Sequence, residues 1–200
     1  MKKLLVNMAF ILSAYICSGQ VALTAGSSLP KQEIKMKDVS GSLVSLGEAK
    51  SANGLLVVYL SNTCPFVAKN QSRLKEICGA FTDKNIGVIL VNSNEANRNS
   101  GESYADMQAY AKEQGLKWYY VLDSNNEIAD AFGATRTPEC FLFDPSGKLV
   151  YHGAIDDSPA DMQKVTRQHL KKATEEMLSG KEVTVKESRS VGCSIHRKKI

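Results

Sequence analysis

Leu55, Leu56, Val57, Val58, Tyr59 and Leu60 form an unbroken apolar run of strand length. A strand with one wet face alternates apolar and polar residues, so a run without alternation belongs to a strand covered on both faces. That requires helices above and below a sheet, and the rest of the chain supplies them. Residues 34–39 and 43–46 flank Ser40 and Gly41, a hairpin signal. Over residues 65–81, Phe66, Leu74, Ile77, Cys78 and Phe81 recur at helical spacing, with Asn70 the one polar member of that face. Residues 86–91 read as a strand. Residues 103–114 read as a helix with Met107, Tyr110 and Ala111 on one face and Gly115 as its stop. A short strand over 119–122 and a short helix over 127–132 follow, the latter ended by Gly133. Residues 141–143 and 149–151 bracket Asp144, Pro145, Ser146 and Gly147, which is turn chemistry. Ser158, Pro159 and Asp161 supply an N-cap, a proline for the first helical position and an acid for the first turn. They predict a helix running to about residue 178. Beyond Gly180 the chain turns polar and basic, an extended tail with no core of its own.

The opening residues do not belong to this pattern. Lys2 and Lys3 precede an apolar run over residues 4–17, followed by Ser18, Gly19 and Gln20, the layout of an export signal. The run falls short of the roughly 20 residues a spanning helix needs, and cleavage is expected between residues 18 and 26. Acylation of Cys17 is the lesser alternative, because Ile16 before it is larger than such a site wants. The expected organisation is therefore a signal over residues 1–19, one domain over 30–178, and a basic tail over 179–200. Export places the protein in a periplasm or outside the cell, with no stable membrane insertion once the signal is gone. The formal charge of +4 matches the excess of basic over acidic residues in 181–200. The domain itself is close to neutral, which argues against nucleic acid as a partner. Arg197, Lys198 and Lys199 read as a solvated tail.

The segment Tyr59-Leu60-Ser61-Asn62-Thr63-Cys64-Pro65-Phe66-Val67 puts a cysteine where a buried strand gives way to a helix. Proline suits the first helical turn, since its missing N–H would have no intrahelical partner there. Cys64 then occupies the N-cap. The amides of Phe66 and Val67 and the positive end of the helix dipole favour its thiolate, the reactive form of cysteine.

This segment resembles the active-site turn of the thioredoxin-fold redoxins, and Arg136-Thr137-Pro138 resembles the stretch that carries their cis-proline. Residues 147–157 and the terminal Gly192-Cys193-Ser194-Ile195 are similar to the peroxiredoxin-like subgroup. The resemblance implies an α/β thioredoxin fold, a central mixed sheet with helices on both faces and an N-terminal β-hairpin extension. It implies a thiol-dependent oxidoreductase that reduces peroxides or protein disulfides through Cys64, without a cofactor, and is recharged by a thiol reductant protein. Ser61 and Arg136 stand near the positions that assist peroxide in that family. Pro65, Phe66, Thr137 and Pro138 stand where a substrate is shaped. The departures are informative: Val67 replaces the second cysteine of a compact dithiol, Ser61 stands where the subgroup often has a cysteine, and Val57 replaces a proline.

Cys64 is thereby left without a neighbouring thiol. Cys193, matching the subgroup's terminal cysteine, is the expected resolving thiol, with Cys140 as a minor alternative. Cys78 shares the apolar face of Leu74 and Phe81 and reads as core, as does Cys140 in its strand. His152, His169 and His196 show no metal-ligand spacing. A copper site from Cys64, Cys193 and His196 is disfavoured because Ala68 stands where copper-delivery relatives carry a cysteine. A second class of function stays open, a non-catalytic binding module in which a Cys64–Cys193 bridge pins the tail.

Overall fold

The computed structural model describes residues 22–198. The signal reading, with Cys17, and Lys199 lie outside the described residues. Among the described residues no helix is long and apolar enough to cross a membrane. The element order is β1 (Met36–Asp38), β2 (Leu43–Val44), α1 (Leu46–Ala49), β3 (Leu55–Leu60), α2 (Pro65–Asp83), β4 (Gly87–Asn92), α3 (Tyr104–Gln114), β5 (Tyr119–Leu122), α4 (Glu127–Phe132), β6 (Arg136–Thr137), β7 (Glu139–Phe143), β8 (Leu149–Gly153), α5 (His169–Leu178) and β9 (Cys193–Ser194).

Seven strands form one mixed sheet in the order β2-β1-β5-β4-β3-β7-β8. β3 runs parallel to β4 and antiparallel to β7, and its six residues are all fully buried. The period-two geometry of a strand divides them. Leu56, Val58 and Leu60 pack with Leu74, Cys78 and Phe81 of α2, Met107 of α3 and Leu170 of α5. Leu55, Val57 and Tyr59 pack on the opposite face with Leu46 of α1 and Ile128 and Phe132 of α4. Burying each such side chain contributes on the order of 2 kcal/mol, which is why the run permits no polar residue. The expected hairpin sits at the sheet's far edge, where β1 joins β5. The expected helix of residues 103–114 is framed by a reciprocal hydrogen bond between Ser103 and Asp106 at its start and by Gly115 in the left-handed region (φ 60°) at its end.

Two expectations are corrected. The last helix begins at His169, not near Ser158. The carbonyls of Ser158 and Pro159, which would feed a first helical turn, accept instead from Arg73, and that of Pro159 also from Asn70. The Ser158 hydroxyl donates to the Asp161 carbonyl, and Asp157 accepts from both the amide and the hydroxyl of Thr166. Side-chain bonds close residues 157–167 into a loop that competes with the helix and wins. The buried ion pair of Arg73 with Asp156 anchors its start.

The tail is not a solvated appendage. It runs as a strap along β8 and over the end of the sheet. The His152 amide donates to Lys186, the Ser188 amide donates back to His152, and the Ser188 hydroxyl meets Tyr151 and the Ala154 amide. Val183 and Ile195 are buried, and Arg197 donates to Asp130 and to the Ala134 carbonyl. These contacts are all to the domain, so composition alone gives no sign of them.

Candidate active site

Residues 61–63 carry the chain from β3 into α2, and a single carboxylate organises them. Glu102, fully buried, accepts from the Ser61 hydroxyl (2.5 Å), the Asn62 amide (3.1 Å), the Thr63 amide (3.1 Å), the Thr63 hydroxyl (2.8 Å) and the Asn92 side chain (2.6 Å). Donors alone converge on it, the hydrogen-bond complement of a carboxylate. Asn92 also donates to the Tyr120 hydroxyl, which donates in turn to Asn62. Glu102 was not among the residues singled out from sequence. Its only signal there is an acid just ahead of the Ser103 cap, indistinguishable from a solvated helix start.

The turn delivers Cys64 to the N-cap of α2, in extended backbone geometry (φ −77°, ψ 119°), with Pro65 at the start of the helix. Cys64 is 3% exposed. Its sulfur lies 3.2 Å from the Thr137 carbonyl and 2.7 Å from the sulfur of Cys193, with no bond joining the two cysteines. Burial is the largest influence on the Cys64 thiol and opposes ionisation. Hydrogen bonds from the Cys193 thiol, the Thr137 side chain and the amides of Val67 and Cys193 outweigh it and hold the pKa below that of an ordinary thiol. Phe66 departs from expectation, because its amide serves the sulfur of Cys193. Burial, together with the hydrogen bond and the negative charge of Cys64, pushes Cys193 up to about 11, against the opposing pull of Phe66 and Arg136. The pair is thus polarised, with Cys64 the sulfur that ionises first and Cys193 the one that holds its proton.

Cys193 reaches this place because β9 pairs antiparallel with β6, Cys193 opposite Thr137 and Ser194 opposite Arg136. Gly192 permits the approach: a Cβ there would stand 2.1 Å from the Thr137 carbonyl oxygen. The Ile195 amide donates to Thr135, the His196 amide to Asn94, and the Ala96 amide to His196, closing the strap over the site. The Thr137–Pro138 bond is cis, as the resemblance implies. The Thr137 hydroxyl is buried without a well-directed partner, placed to serve the Cys64 thiolate.

Cys64, Cys193, Thr137 and Phe66 therefore converge. Pro65 is exposed beside them and Phe66 is half-buried. Ser61 and Arg136 are engaged elsewhere. The Ser61 hydroxyl is committed to Glu102, and the exposed guanidinium of Arg136 donates to the Ser194 hydroxyl at 2.7 Å. Cys78, driven up to about 12 by burial, and Cys140, raised likewise, are buried core thiols. His152 is bound to Glu139 (2.8 Å) and stacks on Phe141. Among the described residues no group of three His, Cys, Asp or Glu side chains could hold a metal ion.

A mixed sheet with a polarised thiol pair at the N-terminus of a helix defines a thiol-dependent oxidoreductase of thioredoxin fold. The chain belongs to the Redoxin family, which matches residues 24–170. Cys193 and its strap lie beyond the matched span. The chain is 23% identical over 135 residues to the thiol-disulfide oxidoreductase ResA of Bacillus subtilis, covering 68% of this chain and 70% of that protein. The crystal structure of a hypothetical protein from Sinorhizobium meliloti superposes with a TM-score of 0.80 at 33% identity, covering 89% of this chain and 97% of the other. The thioredoxin domain of a thiol-disulfide oxidoreductase from Bacteroides vulgatus superposes with a TM-score of 0.55 at 25% identity, over 66% of this chain and 89% of that one.

Proposed function

We propose that this chain is an exported thiol–disulfide oxidoreductase in which Cys64 is the nucleophile and Cys193 the resolving thiol. The observation that carries the reading is the 2.7 Å between the two sulfurs, with Cys64 favoured as thiolate. The Cys64 thiolate attacks one sulfur of a substrate disulfide, forming a mixed disulfide and expelling the other sulfur as a thiolate. That step removes the negative charge from Cys64, and with it two influences that raise Cys193. Cys193 then loses its proton more readily and attacks the Cys64 sulfur. The second substrate thiolate leaves, and a Cys64–Cys193 disulfide remains. The substrate gains two electrons and the protein loses them, so a thiol reductant must restore the pair.

Disulfides are favoured over peroxides because Ser61 and Arg136, the residues expected to assist peroxide, are bonded to Glu102 and Ser194. The name of the Bacillus subtilis relative agrees. One observation favours a hydroperoxide as a second substrate, for an opening that leaves Cys64 3% exposed suits a small oxidant. There the thiolate attacks a peroxide oxygen and becomes a sulfenic acid, and Cys193 condenses with it, releasing water. Pro65, Phe66, Thr137 and Pro138 border the opening. The export signal over residues 1–19 supports a periplasmic or secreted location, and the tail over 179–200 serves the domain over 30–178 as half of its active site.

Stopped-flow mixing of reduced protein with hydrogen peroxide and, separately, with a small-molecule disulfide tests this reading. Reaction faster than that of a free thiol at neutral pH is expected, with the disulfide favoured and steady turnover lost in Cys193→Ser. Reaction no faster than free cysteine, unchanged in the variant, would instead support a binding module with a structural thiol pair.

A further inference from the structure

We infer that His152 and Glu139 are positioning residues for the resolving step, holding residues 135–136 so that β6 presents Cys193 to Cys64. The inference rests on the proposed pairing of Cys64 with Cys193 and adds the groups that set how readily the pair closes.

Glu139 follows Pro138 directly and is 4% exposed. One of its oxygens, Oε2, accepts from the amides of Thr135 (2.7 Å) and Arg136 (2.9 Å), and the other, Oε1, lies 2.8 Å from Nε2 of His152. A carboxylate offers only acceptors, so the imidazole donates from Nε2. His152 is buried as well, and its ring is stacked on Phe141 with centroids 4.4 Å apart and planes 16° from parallel. The stack holds the ring, the ring holds the rotation of the carboxylate, and the carboxylate holds two consecutive amides.

Those amides belong to the stretch that receives the strap. The Thr135 carbonyl accepts from the Ile195 amide (3.0 Å), Arg136 pairs with Ser194, and Thr137 pairs with Cys193. The peptide groups of Thr135 are therefore gripped from both sides, by Glu139 at the amide and by the strap at the carbonyl. The backbone of His152 holds the strap at a second place, its amide donating to Lys186 (2.9 Å) and its carbonyl accepting from Ser188 (3.0 Å). Cys193 lies in the chain between Ser188 and Ile195, so the bond from His152 to Glu139 ties together the two attachments that carry it. A buried carboxylate and imidazole are a poor way to gain stability, since apolar side chains of the same volume often do as well. Apolar side chains cannot accept from Thr135 and Arg136, however, and leaving those amides unpaired is costly.

In the resolving step Cys193 attacks the Cys64 sulfur of the mixed disulfide and the substrate thiolate leaves. The rate of such a step within one chain depends on how well the attacking sulfur is held in reach. Loosening residues 135–136 takes Cys193 out of reach, and it affects less the first attack, which Cys64 makes from the start of α2.

The probe is dithiobis(nitrobenzoate), a symmetrical disulfide whose released thiolate is coloured. Mixed with reduced full-length protein by stopped flow, it releases one thiolate when Cys64 takes the mixed disulfide and a second when Cys193 resolves it. His152→Phe keeps an aromatic ring for the stack and loses the donor, so the second phase is expected to slow roughly fivefold or more, the effect of one hydrogen bond to a charged group, and the first phase clearly less. His152→Gln, whose amide nitrogen can take the place of Nε2, should restore the second phase nearly to the parent rate. A role confined to stability would move the urea midpoint and leave both phases of the folded protein alone. An unchanged second phase in His152→Phe, equal slowing of both phases, or a His152→Gln protein as slow as His152→Phe would overturn the inference and leave the proposed pairing standing. Absence of a second phase in the parent protein would overturn the pairing and the inference with it. If His152→Phe fails to fold, His152→Asn, whose amide falls short of Glu139, takes its place under the same expectations.

Discussion

The turn that carries Cys64 and the strap that carries Cys193 bring two sulfurs within 2.7 Å of each other by opposite routes. The turn is continuous with a buried strand and a long helix, and one carboxylate gathers its donors. The strap has almost no regular structure and is held by contacts spread over residues 183–197, none of them central. A nucleophile needs a fixed position, and the turn supplies it; the hydrogen bonds that hold its pKa down come from Cys193 on the strap, from Thr137 and from the start of α2. A resolving thiol needs to approach, exchange partners and withdraw, and a strap of small independent contacts allows that. Breaking the turn should therefore cost stability and reactivity together, whereas breaking the strap should cost pairing and part of the lowered Cys64 pKa, with a small loss of stability.

The largest effect is expected from Glu102→Gln. An amide cannot accept from all five donors, and its own NH2 would face amides that have no other partner. Unfolding free energy measured in urea should fall by about 3 kcal/mol. Cys64 should lose its lowered pKa as the turn relaxes, which a purely structural role remote from the sulfur would not produce. Retention of both stability and Cys64 reactivity would remove Glu102 from the account.

Next comes Gly192→Ala. A Cβ at 2.1 Å from the Thr137 oxygen must push the strap away from β6, so bridge formation should slow at least several-fold. Because the strap's contacts are spread along residues 183–197, the unfolding free energy measured in urea should fall by no more than about 1 kcal/mol. A large loss of stability with normal bridging would reverse the contrast between the two regions.

The smallest perturbation is pH itself. Followed by iodoacetamide alkylation, Cys64 should become reactive as pH rises through a value below that of an ordinary thiol, because its hydrogen bonds favour the charged form. Cys193, beside the Cys64 thiolate, should follow only near 11. Replacing Cys64 with Ser removes the hydrogen bond and the charge that raise Cys193, so its midpoint should then fall. The reverse order of reactivity would contradict the assigned roles.

The same contrast explains what could be read from the residues alone. The run over Leu55–Leu60, the helical spacing after Pro65 and the N-cap position of Cys64 are local patterns, and the structure matches them closely. The start of α5 departs from its capping signals because side chains of α2, Arg73 and Asn70, bond the carbonyls that a helix from Ser158 would use. Capping signals at Ser158 say nothing of such distant claims. Glu102 has no legible local signal because its five donors come from residues 61–63 and 92. The strap read as solvated because its charges outnumber the apolar anchors Val183 and Ile195. The pairing of Cys193 with Cys64 was expected through the terminal motif, but the means, a two-stranded contact with Arg136 and Thr137, came from tertiary structure.

The most direct test of the central claim is to map disulfides in the full chain after one equivalent of oxidant, without reductant. The account predicts a single bridge between Cys64 and Cys193, with Cys78 and Cys140 recovered as thiols from the core. A bridge from Cys64 to Cys140, or an oxidised protein whose Cys193 remains free, would contradict it.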